Sequence, residues 1–276
     1  MKKVVEVESP LISVIIPSLK TEEELAPLLQ SVSEQTEKSV EIIIVYRVAP
    51  SGKARNMGAS ASKGEFLVFL DDDIQIGNRD VLRNLIDVLK SDERIGLVGA
   101  STLLPPGANR FQRRVGREIP RMMFPVVNEL TDSDMVTTQC WAQRRENFLK
   151  VGPFSEVIRR GVDPEYRHRV RSRGYYIFIA PNTYTYHPPP NNLRSLCTQS
   201  YRNGHASALA QRLHPELVVP VPDSGVPVSS ENTPFILRVL KSIRVLIYGL
   251  ISFRYLGVFE RISYAAGYLM GRLEKI

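Results

Sequence analysis

Two rhythms of apolar residues alternate along this chain. Leu11 to Ile16 is an almost unbroken apolar run closed by Pro17, Thr21 to Glu34 carries apolar residues at helical spacing, and Val40 to Val45 is a second run. Strand, helix and strand in that order predict a parallel βαβ unit. Ser51 to Ala59 reads as a loop entering a short helix that stops at Lys63-Gly64, with the glycine as its C-terminal cap. Phe66 to Leu70 is apolar at every position, which predicts a strand buried on both faces of an open α/β sheet.

The residues after that strand, Asp71-Asp72-Asp73, carry the most information. The carboxyl end of such a strand opens into the ligand crevice of an α/β sheet. Three adjacent carboxylates repel one another unless the chain turns into water or a hard divalent cation, Mg²⁺ or Mn²⁺, neutralises them. In an extended segment Asp71 and Asp73 point to one side and Asp72 to the other, so the outer pair can face one ion. An acidic turn is the plain alternative, because aspartate favours turns and Asn78-Arg79-Asp80 reads as a helix cap.

Further landmarks follow in order. Val136 to Arg145 reads as a strand leaving an arginine pair, and Val151-Gly152-Pro153-Phe154-Ser155-Glu156 as a turn. Gly161 to Tyr175 holds Asp163 before Pro164, whose fixed φ suits the first turn of a helix with the aspartate at its N-cap. Tyr184-Thr185-Tyr186-His187 ends a strand. Taken with Ala54-Arg55-Asn56-Met57-Gly58 and the run from Ala61 to Asp73, the series resembles the nucleotide-sugar domain of family 2 glycosyltransferases of GT-A fold, over about residues 11 to 205.

The resemblance implies an α/β fold with a mostly parallel, Rossmann-like sheet flanked by helices. It implies a metal-dependent, inverting transfer of a sugar from a nucleoside-diphosphate sugar to a glycan or lipid-linked acceptor. It places the divalent cation, Mn²⁺ or Mg²⁺, on Asp71, Asp73 and His187, and donor contacts at Pro17, Tyr46, Lys53, Arg55, Asn56, Asp71 and Asp72. It puts the catalytic base in the segment after Gly161, with Asp163 the first candidate and Glu165 the second. These residue types suit the chemistry: a cation that neutralises the diphosphate makes it a better leaving group, and a carboxylate that takes the acceptor proton contributes roughly 10²–10⁴-fold. Each also has an ordinary reading: Asp163 as a cap, His187 as a packed side chain, Arg55 and Lys53 as the solvated face of a short helix.

The chain departs from the family pattern in two places. Val45-Tyr46-Arg47-Val48-Ala49-Pro50-Ser51 lacks the acid that relatives place after the second strand to meet the nucleobase. Tyr46 stacking on the base and Arg47 on a phosphate are the expected substitutes. Val162 stands where the family's Glu-Asp pair has its glutamate, leaving one carboxylate fewer.

Composition fits a globular protein of 276 residues, with 43% hydrophobic and 24% charged residues, long enough for a substantial core. Two cysteines, Cys140 and Cys197, make no disulfide framework, which suits a reduced, cytoplasmic setting. Glu6 and Glu8 interrupt the apolar run that a signal peptide needs. The net charge of +7 gathers in Arg110, Arg113, Arg114, Arg117 and Arg121, and in Arg159, Arg160, Arg167, Arg169, Arg171 and Arg173, so anionic partners are expected: a diphosphate, a phosphate-bearing lipid or a membrane surface. No aromatic-interleaved basic motif of a nucleic-acid reader is present. The stretch 105–130 resembles a mobile acceptor loop.

Three regions are expected: a catalytic domain over 1–213, a proline-rich linker over 214–234, and an amphipathic helical extension over 235–276. The charge-free run Val245 to Phe253 is well short of the ~20 residues of a spanning helix. A break near Gly249 or Gly257 gives two short helices lying in the cytoplasmic membrane interface, with packing on the protein or a second subunit as the alternative. Two other functions share these features. A sugar-phosphate nucleotidyltransferase also uses aspartate-bound metal, but no Gly-rich phosphate loop follows the first strand. A catalytically silent nucleotide-sugar-binding protein would keep the fold alone.

Overall fold

The structure, a computed structural model, describes residues 2–5, 7–158, 161–214, 243–244 and 247–274. The chain divides into two units: residues 1–105 with 124–187, and residues 106–123 with 188–276. The helix expected to end the catalytic domain near 213 groups with the second unit. The proline-rich segment 215–234, residues 235–242 of the extension, and Arg159 and Arg160 lie outside the described residues.

The first unit holds strands β1 (Lys2–Val5), β2 (Ile12–Ser18), β3 (Val40–Tyr46), β4 (Phe66–Leu70), β5 (Gln75–Ile76), β6 (Ile95–Leu103), β7 (Thr131–Asp132), β8 (Cys140–Arg144) and β9 (Tyr176–Tyr186). They form one nine-stranded sheet ordered β1-β3-β2-β4-β8-β6-β9-β5, with β7 on β9. Parallel pairing is confined to β3-β2-β4 and to β6 with β9. The sheet is thus mixed rather than mostly parallel, because β8 enters between β4 and β6 antiparallel to both. Both βαβ strands appear as expected, with Pro17 inside β2 and not at its end.

Successive residues of the central strands face opposite layers, and both layers are apolar. Ile42, Ile44, Phe66, Val68 and Leu70 join one core with α1 (Glu22–Ser33) and α3 (Val81–Ser91). Ile43 and Val45 face α2 (Ser51–Ala61) through Ala54. On that second side Phe69 meets Trp141, Phe148 and Phe154 at centroid distances of 6.4, 6.1 and 5.2 Å, with Tyr166 stacked on Phe154 at 4.5 Å. Helices α5 (Arg145–Val151) and α6 (Val162–Ser172) supply Phe148 and Tyr166. α1 starts at a reciprocal cap in which Thr21 Oγ1 accepts from Glu24 N and Glu24 returns to Thr21 N.

Two local expectations are corrected. The stretch Ser51 to Ala59 is helical from Ser51 onward, and α2 is capped by an extended Ser62. Gly64 has another task. Buried Glu41 accepts from Ser13 Oγ (2.6 Å) and Lys63 N (2.5 Å), while Gly64 N donates to Ser13 Oγ (2.8 Å), which pins the entry to β4 on β2 and β3. A Cβ at Gly64 would stand 2.6 Å from Ser13 N, so only glycine lets the chain approach this closely.

The second unit contains α4 (Arg110–Glu118), α7 (Leu193–Leu213) and α8 (Tyr255–Leu273). Residues 110–118 of the expected acceptor loop are therefore a helix, closed by a cap between Asn109 and Gln112. Residues 247–251 are helical and the chain breaks at 252–254, where Phe253 takes φ 56, between the two glycines expected to break it.

Gly64→Ala should destabilise the protein by about 1–3 kcal/mol in urea unfolding, the usual cost of overpacking, whereas Gly107→Ala, with nothing within 4 Å of its Cβ, should be close to neutral. Both cysteines are free, and burial pushes the Cys140 thiol up to about 12, helped by the Asp71 charge. A thiol reagent at pH 8 should label half-buried Cys197 and leave Cys140 untouched until the protein unfolds.

Candidate active site

β4 ends under Asp71, whose N–H donates to Gln139 O at 3.1 Å just before β8 begins. This fixes the first carboxylate at the carboxyl end of a strand with no exposed residue. Asp71 Oδ1 accepts from Arg55 Nη2 at 2.6 Å, and Arg55 is buried on α2 with its guanidinium 5.9 Å from the Phe154 ring centroid. Asp73 Oδ1 stands 3.4 Å from His187 Nε2. Asp72 turns the other way: its Oδ2 accepts from Ser18 Oγ at 2.6 Å and from Leu19 N at 3.3 Å, and its carbonyl from Lys20 Nζ at 2.6 Å. Asp72 and Asp73 lie in a turn, not in an extended segment, and the three carboxylates meet different partners.

His187 reaches Asp73 because β9 runs parallel to β6 and pairs Tyr186 with Leu103, after which His187 N donates to Leu103 O at 3.0 Å. Asp163 comes from α6. It is the second residue of that helix and not its cap, which is Gly161 in the left-handed region at φ 70. Its Oδ1 accepts from Thr138 Oγ1 at 2.8 Å. The cap explanation for Asp163 is thereby removed.

The charges show which groups share a space. Burial raises the Asp71 pKa, Arg55 opposes this, and Asp73 and Asp163 add to it. Burial would also raise Asp73, but the hydrogen bond and charge of His187, with Lys20 beyond, hold it below its ordinary value. For His187 burial works downward and is outweighed by Asp73 and then Asp71, so its pKa is raised. Arg167 is lowered by burial against the pull of Asp163 and Asp134, and its Nη1 donates to Val136 O at 2.5 Å. Asp71, Asp73, Asp163, His187 and Arg55 thus form one electrostatic cluster.

Other expected residues have partners or surroundings of their own. Glu165 is buried, its side chain 5% exposed, and paired with Arg169, which also donates to Val151 O, Gly152 O and Pro153 O. Through Arg169 it ties α6 to the 151–153 turn. Asn56 accepts from Phe154 N at 2.8 Å and donates to Phe154 O and Glu156 Oε1, so its amide holds the following turn. Tyr46 packs against the core, with its hydroxyl buried. Pro17 is half-buried in β2, and Lys53 is exposed on α2. The arginine pair binds backbone: Arg144 to Leu89 O, Arg145 to Ser62 O.

Several contributors belong to no motif that marks them in the sequence. Ser18 ends β2 and Lys20 follows it. Thr138 and Gln139 lie in a segment expected as strand but forming a turn before β8; Gln139 Nε2 donates to Thr102 Oγ1 and Thr185 Oγ1, both at 2.9 Å.

The donor set has the chemistry for a divalent cation, a carboxylate oxygen beside an imidazole nitrogen with a second carboxylate close by. Among the described residues, however, no three His, Cys, Asp or Glu side chains form a preassembled metal site. Asp71 is paired with Arg55 at 2.6 Å.

Comparison with known proteins bears on the fold and the family. Residues 15–130 match the glycosyltransferase-like family. A Haemophilus influenzae protein described as an uncharacterized glycosyltransferase is 25% identical over 176 residues, which cover 54% of this chain and 58% of that protein. The match therefore spans little more than half the relative's length. The mannosyltransferase PcManGT from Pyrobaculum calidifontis, solved with GDP-Man and Mn²⁺, superposes with a TM-score of 0.59 at 14% identity, over 98% of this chain and 90% of that one. GalNAc-T7, solved with UDP, GalNAc and Mn²⁺, gives a TM-score of 0.50 at 15% identity, over 77% of this chain and 52% of that one. At such identities the structural likeness speaks for the fold alone, that of GT-A glycosyltransferases, and the sequence match makes residues 15–130 similar to the glycosyltransferase-like family.

Proposed function

We propose that this protein is a metal-dependent, inverting glycosyltransferase that moves a sugar from a nucleoside-diphosphate sugar to a hydroxyl of a glycan or lipid-linked acceptor. The observation that carries the reading is the convergence of Asp71, Asp73, His187 and Asp163 at the carboxyl end of β4. Mn²⁺ or Mg²⁺ held by Asp73 and His187, with Asp71 at its edge, would neutralise the donor diphosphate and improve it as a leaving group.

The chain's own residues do the rest. Arg55 holds Asp71 in place against the repulsion of its neighbours, and Lys20 and Ser18 hold Asp72. Asp163 accepts the proton of the acceptor hydroxyl as that oxygen attacks the anomeric carbon and the bond to the diphosphate breaks. Thr138 orients the carboxylate, leaving its second oxygen for the acceptor. One base with no second carboxylate placed as a nucleophile suits single displacement with inversion. The acceptor is met at the cytoplasmic face of a membrane, to which the chain attaches peripherally.

A silent binding protein is the competing reading, favoured by the four-residue connection from Arg47 to Pro50, which carries no acid. Hydrolysis of a nucleotide sugar in Mn²⁺ without acceptor separates the two: turnover supports the enzyme, and binding with no turnover supports the silent protein. GDP-mannose and UDP-GalNAc belong in the donor panel, screened by thermal shift, because a ligand at ~100 times its Kd adds about 2.7 kcal/mol.

Asp73→Ala should abolish Mn²⁺-dependent donor binding in calorimetry with the fold retained; unchanged donor affinity would remove Asp73 from the metal site. Asp163→Asn should keep donor affinity and lower kcat by roughly 10²-fold or more. Glu165→Gln should instead cost about 2 kcal/mol of stability, through the loss of a charged partner for Arg169, while the folded fraction turns over normally. Steady-state kinetics with melting temperatures reads both variants, and near-normal transfer by Asp163→Asn would exclude it as the base.

A further inference from the structure

The second unit carries a helix that is apolar on its outward side. α8 meets α7 through small residues: a Cβ at Gly267 would stand 1.9 Å from Tyr201 O, and one at Gly271 2.6 Å from His205 O, while Glu260 is buried. Its outward stripe is large. Phe259, Ile262, Leu269 and Leu273 are 46%, 54%, 62% and 77% exposed. At 100° per residue these four fall within about 80° of arc along the helix. The chain enters α8 through the turn at 252–254, where Phe253 is 71% exposed and edge-on to Tyr255 at 5.9 Å.

The charge beside this stripe has one sign. Arg254 and Arg272 are exposed at its two ends. α4 is joined to the start of α8 by Val115 and Ile119 against Leu256 and by Glu118, which accepts from Leu256 N at 2.6 Å. α4 presents exposed Arg113 and Arg117. The acids nearby are engaged: Glu118 with Arg114, and Glu274 with His205 at 2.9 Å.

We infer that α8 and the 252–254 turn form a membrane-interface surface, on which the unit lies against an anionic lipid leaflet with α8 in the plane. Exposed aliphatic and aromatic side chains enter the acyl boundary while the arginines meet lipid phosphates. No helix among the described residues is long and apolar enough to cross a membrane, so α8 lies on the surface. A second copy of this chain is the poorer occupant, because a two-fold contact would set the same arginines against themselves. The inference rests on the peripheral attachment proposed above and assigns it to particular residues.

The test is co-sedimentation of the full chain with vesicles of phosphatidylcholine alone or with about 30% phosphatidylglycerol, without donor or acceptor. Binding is expected to the anionic vesicles, at least tenfold weaker to neutral ones, and weakened by raising salt from 0.05 to about 0.5 M as the headgroup contacts are screened. Ile262→Glu with Leu269→Glu should lower it at least tenfold with an unchanged melting temperature, since both side chains are exposed. Arg254→Glu with Arg272→Glu tests the charge independently. Wild-type protein that fails to sediment, or either double variant binding as well as wild type, overturns the inference. So does a wild-type dimer in light scattering that the apolar variant splits into monomers. Because the assay needs no turnover, vesicle binding by a chain that transfers no sugar would defeat the proposed function and leave this surface standing.

Discussion

Charge crowding at the end of a buried strand is the constraint from which the rest of the candidate site follows. β4 has no exposed residue, so Asp71 begins where water is already scarce, and two more carboxylates follow at once. A carboxylate in such a place is stable only if neutralised, paired or turned away. All three remedies are present. Arg55 pairs with Asp71, Asp72 turns to Ser18 and Lys20, and Asp73 meets His187. Burial and the neighbouring acids raise the Asp71 pKa even with Arg55 beside it. Arg55 therefore offsets only part of the charge gathered at this strand end.

Holding this arrangement needs backbone precision, and arginines supply much of it. Arg144 and Arg145 fasten the end of β8 to Leu89 and Ser62 carbonyls, Arg167 holds Val136, and Arg169 gathers the 151–153 carbonyls. Arg171 pairs with Asp132 and Asp134 on and beside β7. A cluster of arginines around a proposed base therefore turns out to be largely intramolecular. In the other unit, Arg113 and Arg117 of α4 and Arg254 and Arg272 beside α8 are exposed.

Strands β2, β3 and β4 and the first helix were legible in the sequence because each follows from local chemistry: apolar runs and apolar residues at helical spacing. What was not legible depended on distant partners. Gly64 read as a helix cap because a glycine after a short helix is commonly one; its real reason is the nearness of Ser13, fifty-one positions earlier. Asp163 and Glu165 were both acids near a helix start, and only the tertiary partners, Thr138 for one and Arg169 for the other, tell their surroundings apart. The antiparallel entry of β8 was equally hidden, since a strand's own residues do not record its direction within a sheet.

The acid missing after β3 also has to be weighed against distant partners. Tyr46 was expected to stack on a nucleobase, yet its ring packs on the core and burial, with Glu22 nearby, raises its pKa. The backbone then turns sharply, with Arg47 in the left-handed region at φ 54 and Arg47 N bonded to Ser18 O. That bond ties the end of β3 to the end of β2, where Ser18 and Lys20 already hold Asp72. Polar capacity absent from one strand end is therefore present at the next, within the same crevice. An acid-free connection does not leave this edge without a carboxylate, because Asp72 is directed to it from β4.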